Sequence, residues 1–263
     1  MEHLTNGWEP DLDDGDSLLR RFVLASGQRS MDLAELAGGR TRAMPAVTTA
    51  DPASPVLFDN IAVLLQPPAY INLDATVEAV LAFYPPDRHF VLFSAWPTPD
   101  LSRFGLVLMG HPPLMYRPVG GEAPPAPPEL EIRLVTDGAG LRDFVQTLME
   151  AYPMPGAEGT SLADPAVLDG PFRLFVGYLD GAPVGTAGAR LGHGLNDVEW
   201  VSTRPEVRGR GFGAALTWAA TLVEPDLPAA LLASDDGQPV YEKMGYLRIM
   251  RLTVWHRPPA GRG

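Results

Sequence analysis

The stretch that decides the fold is Asp197-Val198-Glu199-Trp200-Val201-Ser202-Thr203, followed by Arg204-Pro205-Glu206-Val207 and then Arg208-Gly209-Arg210-Gly211-Phe212-Gly213-Ala214. The first seven residues read as a strand and Ala214–Val223 as a helix, with the glycine run as the turn between them. Glycines let the main chain approach a ligand closely, and the free amides of a first helical turn, reinforced by the helix dipole, make an anion site. A pyrophosphate is the natural occupant; a plain strand-to-helix turn is the competing reading. No Gly-Lys-Ser/Thr follows, which excludes the Walker pattern, and the strand and acidic partner of a dinucleotide fingerprint are misplaced.

Working outward, Ala229–Ala233 reads as a buried apolar strand, Pro239–Met244 as a short helix and Leu247–Trp255 as a closing strand. Upstream, Glu131–Val135 alternates like a strand, and Leu141–Ala151 puts Leu141, Val145, Leu148 and Met149 on one helical face. Leu162–Leu168 allows a short helix, and Phe172–Leu179 and Pro183–Leu191 form a hairpin about Asp180-Gly181. The order β, α, α, β, β, β, α, β, α, β predicts an α/β fold built on a mixed sheet.

The run from Arg208 to Gly213 resembles the R/Q-x-x-G-x-G/A signature of the GCN5-related N-acetyltransferase (GNAT) superfamily. A second segment agrees: Ala233-Ser234 and then Tyr241-Glu242-Lys243-Met244-Gly245-Tyr246 is similar to that superfamily's later strand and helix. The resemblance covers about Glu129 to Arg257 and implies that acetyl-CoA is the cosubstrate, with no metal. It implies that the pantetheine arm lies beside Val201, Ser202 and Thr203, where this strand splays from Ala229–Ala233. It places the pyrophosphate on Arg208, Gly209, Arg210, Gly211, Phe212, Gly213 and Ala214, with Ser234 nearby.

An ammonium must lose a proton before it attacks a thioester, so a base within hydrogen-bond reach is needed at neutral pH. Glu199 is the first candidate and Asp197 the reserve. Glu199 shares strand parity with Val201 and Thr203, and many superfamily members carry Glu nine residues before the signature Arg. It reads equally as a carboxylate that only binds the substrate cation. Tyr241 resembles the superfamily's general acid for the leaving thiolate, or else an aromatic kept for placement. With no cysteine in the chain, direct transfer without an acyl-enzyme is expected.

Gly120 to Pro128 contains four prolines and reads as a semi-rigid linker. It divides a first domain over 1–119 from the GNAT domain over 129–263. Compared at an offset of 140 residues the halves echo each other: Gly105 falls on Gly245, Ser94 on Ser234, and Arg117-Pro118 on Arg257-Pro258. The strands Asp59–Leu65, Phe90–Ala95 and Val107–Tyr116 and the helix Ala75–Phe83 are expected to mimic the later part of the second half. Where the glycine loop should stand the first half has Gln66-Pro67-Pro68-Ala69-Tyr70-Ile71, and Leu101 replaces Tyr241. This is a degenerate GNAT-like half whose expected role is to complete the sheet or wall the acceptor cleft, with Trp96, Phe58 and Tyr84 as lining or core. Met1–Asp16 and Pro258–Gly263 read as frayed termini and Arg40–Pro55 as a loop.

The chain has 263 residues, 46% of them hydrophobic, and a formal net charge of -12. The acidic balance opposes a nucleic-acid partner and suits a cationic small molecule, so the expected acceptor is a small amine. No apolar stretch approaches the roughly 20 residues of a membrane span, and the acidic start is unlike a signal peptide, so no membrane partner and a cytoplasmic location are expected. Strand exchange or edge pairing would make a homodimer without leaving a sequence signature. Two alternatives stand beside the small-molecule enzyme: a non-catalytic binder of acetyl-CoA or another small ligand, and an enzyme acting on protein or peptide amines.

Overall fold

The computed structural model describes residues 17–152 and 159–259. The first half contributes α1 (Leu18–Leu36), β1 (Arg40–Ala43), β2 (Val47–Asp51), β3 (Ile61–Leu64), α2 (Leu73–Phe83), β4 (Phe90–Ser94), β5 (Val107–Gly110) and β6 (Pro113–Arg117). The second contributes β7 (Leu130–Leu134), α3 (Gly138–Ala151), β8 (Phe172–Leu179), β9 (Ala182–Gly192), β10 (Leu195–Thr203), α4 (Phe212–Thr221), β11 (Ala229–Leu232), α5 (Gln238–Lys243), β12 (Leu247–Arg251) and β13 (Thr253–Arg257). The expected mixed α/β architecture is present, in two mixed sheets.

The first sheet runs β1-β2-β3-β4-β13-β5 and the second β12-β6-β11-β10-β9-β8-β7. Apart from the extra β7, the two orders correspond strand for strand, with one parallel pair in each, β3 with β4 and β10 with β11. Each half, however, has given its last strand to the other's sheet. β6 lies between β11 and β12, and β13 lies between β4 and β5.

This corrects two expected elements. Val107–Tyr116 and Leu247–Trp255 are each two strands in different sheets, not one. Pro112 and Pro113 remove consecutive amide donors, so the chain leaves the first sheet there. The two crossings bond to each other, Leu252 N donating to Pro112 O at 3.0 Å, while the Leu252 side chain is buried against Phe22, Leu114 and Ala230. Each exchanged strand ends on an arginine that fastens it. Arg117 donates to Met244 O and Gly120 O and lies over Trp218; Arg257 donates to Arg88 O and lies over Phe90.

Two further corrections concern the first half. Arg40–Pro55 holds the hairpin β1–β2, paired from Arg40↔Asp51 to Ala43↔Thr48. Every residue of β2 is buried, so no polar alternation betrays it. α1 starts at Ser17, whose hydroxyl accepts from Arg20 N at 3.1 Å, and lies between the sheets. Its Phe22 and Ala25 pack on Leu195 and Ala230, its Val23 packs with Val63 and Ala95, and Gly27 is so close to β2 that a Cβ would come 2.7 Å from Thr48 Oγ1. Tyr84 is core, stacked on Phe90 at 4.3 Å; Trp96 packs at the edge of that core and Phe58 is exposed. The segments 1–16 and 260–263, expected as frayed ends, lie outside the described residues.

Candidate active site

β10 and β11 pair in parallel only at Asn196↔Ala229 and Asp197↔Ala230, after which the strands diverge. In the first half the matching strands stay joined, with Ile61↔Val91, Ala62↔Leu92 and Val63↔Phe93 all paired. At the offset of 140 residues these are the positions of Val201 to Thr203 and Leu231 to Ala233. The opening that the resemblance implies therefore exists in the second half and is zipped shut in the first.

A bulge in β10 accompanies the opening. Trp200 has a positive φ of 53°, and the register with β9 slips between Glu199 and Ser202. A left-handed residue other than glycine costs roughly 1–2 kcal/mol, so the packing must hold it. Gly188 leaves room for the ring, since a Cβ there would lie 2.7 Å from Trp200 Cε3. Phe172 meets the ring edge-on at 5.8 Å, and Thr186 Oγ1 donates to Trp200 O at 2.7 Å. The bulge breaks the strand parity expected of Glu199, Val201 and Thr203: Val201 packs against the buried cluster that holds Val198, whereas Glu199 turns toward Arg29 of α1.

At the mouth of the opening stands the glycine loop. Gly209 and Gly211 have φ of 78° and 84°, conformations that favour glycine, and a Cβ on Gly209 would meet nothing within 4 Å. Gly211 caps α4 without any side-chain hydrogen bond, so the first-turn amides of Phe212, Gly213 and Ala214 are offered outward. α2 differs, because Asn72 accepts from Ala75 N at 3.1 Å and closes its own N-terminus. Phe212 is only 1% exposed, packed with Leu130 and Val184, so it presents its backbone and not its ring. Arg208 folds back to donate to Thr203 O at 3.0 Å, and Arg210 pairs with Glu129 at 3.0 Å. Ser234 is exposed and accepts from Gly237 N at 3.0 Å, shaping the turn into α5.

Glu199 and Asp197 meet at one guanidinium. Arg29 of α1 places Nη1 2.8 Å from Glu199 Oε1 and hydrogen-bonds Asp197 Oδ2 through the same nitrogen. The Arg29 side chain is 8% exposed and that of Asp197 0%, while Glu199 retains 23%. Burial pushes the Glu199 carboxyl up to about 7, Arg29 opposing the shift and Asp197 adding to it. Sequence reasoning missed Arg29, which lies 168 positions from Asp197 in a stretch without a motif.

Tyr241, on α5, packs its ring edge-on to Tyr246 at 5.9 Å. Burial pushes its phenol well up, with Tyr152, Tyr246 and Glu199 adding to the shift. A carboxyl that binds a proton near neutrality and a phenol that keeps its own are suited to moving protons in opposite directions. Among the described residues no group of His, Asp and Glu side chains is arranged to hold a metal ion, and no helix is long and apolar enough to cross a membrane.

Residues 141–246 match the acetyltransferase (GNAT) family. Among curated proteins none matches the sequence. A GCN5-related N-acetyltransferase from Kribbella flavida is 22% identical, with a TM-score of 0.66 over 92% of this chain and 96% of that one. A putative acetyltransferase of the GNAT family from Novosphingobium aromaticivorans is 20% identical, with a TM-score of 0.59 over 89% of this chain and 94% of that one. At such identities the likeness is one of fold, and it spans both halves. Residues 141–246 thus match the GNAT acetyltransferase family, and the fold of the similar structures extends over both halves of this chain, the first of which lacks the glycine loop.

Proposed function

We propose that the protein transfers an acetyl group from acetyl-CoA directly to the amine of a small molecule. One observation carries this reading: only the second half combines parted strands, an uncapped glycine-led helix start and a near-neutral carboxyl. The open space at Gly209 and the outward amides of Phe212, Gly213 and Ala214 fit a pyrophosphate, and the side of Val201 to Thr203 that β11 leaves unpaired fits an extended amide-bearing arm.

When bound, acetyl-CoA supplies an acetyl group activated as a thioester. Glu199 takes the proton from the acceptor's ammonium, so that the nitrogen lone pair is free to form the new C–N bond. Tyr241 keeps a proton at Oη for the sulfur released as the C–S bond breaks. The net charge of -12 favours a cationic acceptor. A second copy would pair at the free edges β5 and β12, where Val107, Leu108, Leu247 and Ile249 are exposed.

The test is calorimetric titration of acetyl-CoA, dephospho-CoA and ATP, followed by a panel of small amines and peptides in a thiol-release assay. One acetyl-CoA site per chain with turnover of a small amine is expected. Binding without turnover of any amine would make the protein a ligand binder, and turnover of peptides alone would move the acceptor class.

A further inference from the structure

The helix between the two sheets is also the one that reaches the reactive carboxylates. α1 belongs to the half without a phosphate cradle, yet its Arg29 is the only partner that Glu199 and Asp197 share among the described contacts. We infer that Arg29 is a positioning residue: together with Asp197 it holds the Glu199 carboxylate in place and sets its affinity for a proton. This rests on the reading of Glu199 as the base.

The charges of the cluster carry the argument. One guanidinium faces two carboxylates, and the hydrogen bond goes to Asp197, the fully buried one. Asp197 is thereby compensated, and Glu199 receives the remainder of the same Nη1 at 2.8 Å without a hydrogen bond to it. Of the two acids, Glu199 is the one whose side chain keeps contact with solvent, 23% against 0%. Without Arg29, two carboxylates would share a buried site and Glu199 would stay protonated well above neutrality. Among the described contacts no other cation pairs with either acid: Arg190 of β9 is bonded to Asp32 of α1 at 2.6 Å, and Gln28 holds the other oxygen of Asp32 at 2.7 Å. Tyr241 of α5, a phenol that burial keeps neutral, and Glu199 feel each other's charge. The backbone that carries Arg29 is clamped at Gly27 against Thr48 and at Phe22 against the second sheet. The degenerate half thus contributes to the chemistry through one side chain.

The test is a carboxyl titration by NMR on the full chain with side-chain-labelled glutamate, Glu199 being assigned by its loss in Glu199→Gln. In Arg29→Gln the Glu199 midpoint is expected to rise by about 1–3 units, and Arg29→Lys, which keeps the charge, returns it toward wild type. Asp197→Asn, which frees Arg29 for Glu199 and removes a like charge, lowers it. With an active acceptor, the acid limb of kcat/KM moves in the same direction as each midpoint while acetyl-CoA affinity stays constant. An unchanged Glu199 midpoint in folded Arg29→Gln overturns the inference. Should that variant fail to fold, an unchanged midpoint in Asp197→Asn overturns it equally. A midpoint that moves as stated in a protein that acetylates nothing leaves Arg29 in its role and removes the base assignment instead.

Discussion

Gly213 sits against Thr203 so closely that a Cβ on it would lie 2.9 Å from the Thr203 hydroxyl. The start of α4 and the end of β10 are thus held at a fixed distance by a hydrogen atom where other residues carry a methyl. Gly213→Val would wedge them apart and tilt the first-turn amides. Acetyl-CoA affinity should fall by about tenfold or more, the scale of one lost hydrogen bond to a charged group, while the circular dichroism spectrum is preserved. Wild-type affinity in this variant would place the cofactor elsewhere.

Tyr241→Phe removes only the hydroxyl, and the ring keeps its edge-on contact with Tyr246. Stability and acetyl-CoA affinity should hold, while kcat drops by about two orders of magnitude, the usual scale for losing a general acid. Because burial raises the Tyr241 phenol, the wild-type profile should lack an alkaline limb up to pH 10. An unchanged kcat would reduce Tyr241 to a packing role.

Glu199 carries a stability signature independent of any substrate. Its folded pKa, about 7, lies above the 4.5 of the free side chain, so between those values the folded chain binds more protons than the unfolded one. Stability from this group is present at low pH and is lost as pH rises through 7. Urea unfolding of wild type and Glu199→Gln at pH 5 and pH 8 should show the wild type losing ground to the variant at the higher pH. Parallel curves would place Glu199 at its ordinary pKa.

The exchange of β6 and β13 predicts how separated halves behave. Residues 129–263 alone lack the strand between β11 and β12, and residues 1–119 lack the one between β4 and β5. Each piece should be aggregated or self-associated, and co-expression should give a one-to-one complex by light scattering. A monomeric, cooperatively unfolding half would contradict the pairing.

Much of the second half was legible because its strands and helices are periodic and its turns carry glycine at positions with positive φ, such as Gly181 and Gly211. The loop was singled out by its glycines between strand and helix, and Tyr241 by the resemblance to the GNAT superfamily. α1 was not, since Ser26, Gly27, Arg29 and Ser30 interrupt its buried face and hide the apolar stripe. Arg29 escaped for the same reason, its partners being supplied by a strand remote in sequence. The strand exchange was half visible: the echo of Arg117-Pro118 in Arg257-Pro258 shows two equivalent closing strands. Which sheet each joins is a choice between two similar edges that no local pattern decides. The bulge at Trp200 was hidden too, because nothing in Glu199-Trp200-Val201 announces a left-handed residue; Gly188 on the neighbouring strand makes it possible.

The place of β13 also sets a clock on the nascent protein. Trp255 Nε1 bonds Thr98 Oγ1 across 157 positions of sequence, so β4 and β5 are synthesised long before the strand that separates them. At about 5–20 residues per second that gap lasts roughly 10–30 s on the ribosome, during which two strand edges stand open to mispairing. Slow translation lengthens that exposure, and the yield of active protein should depend on how quickly the second half is translated and on whether chaperones shield the first.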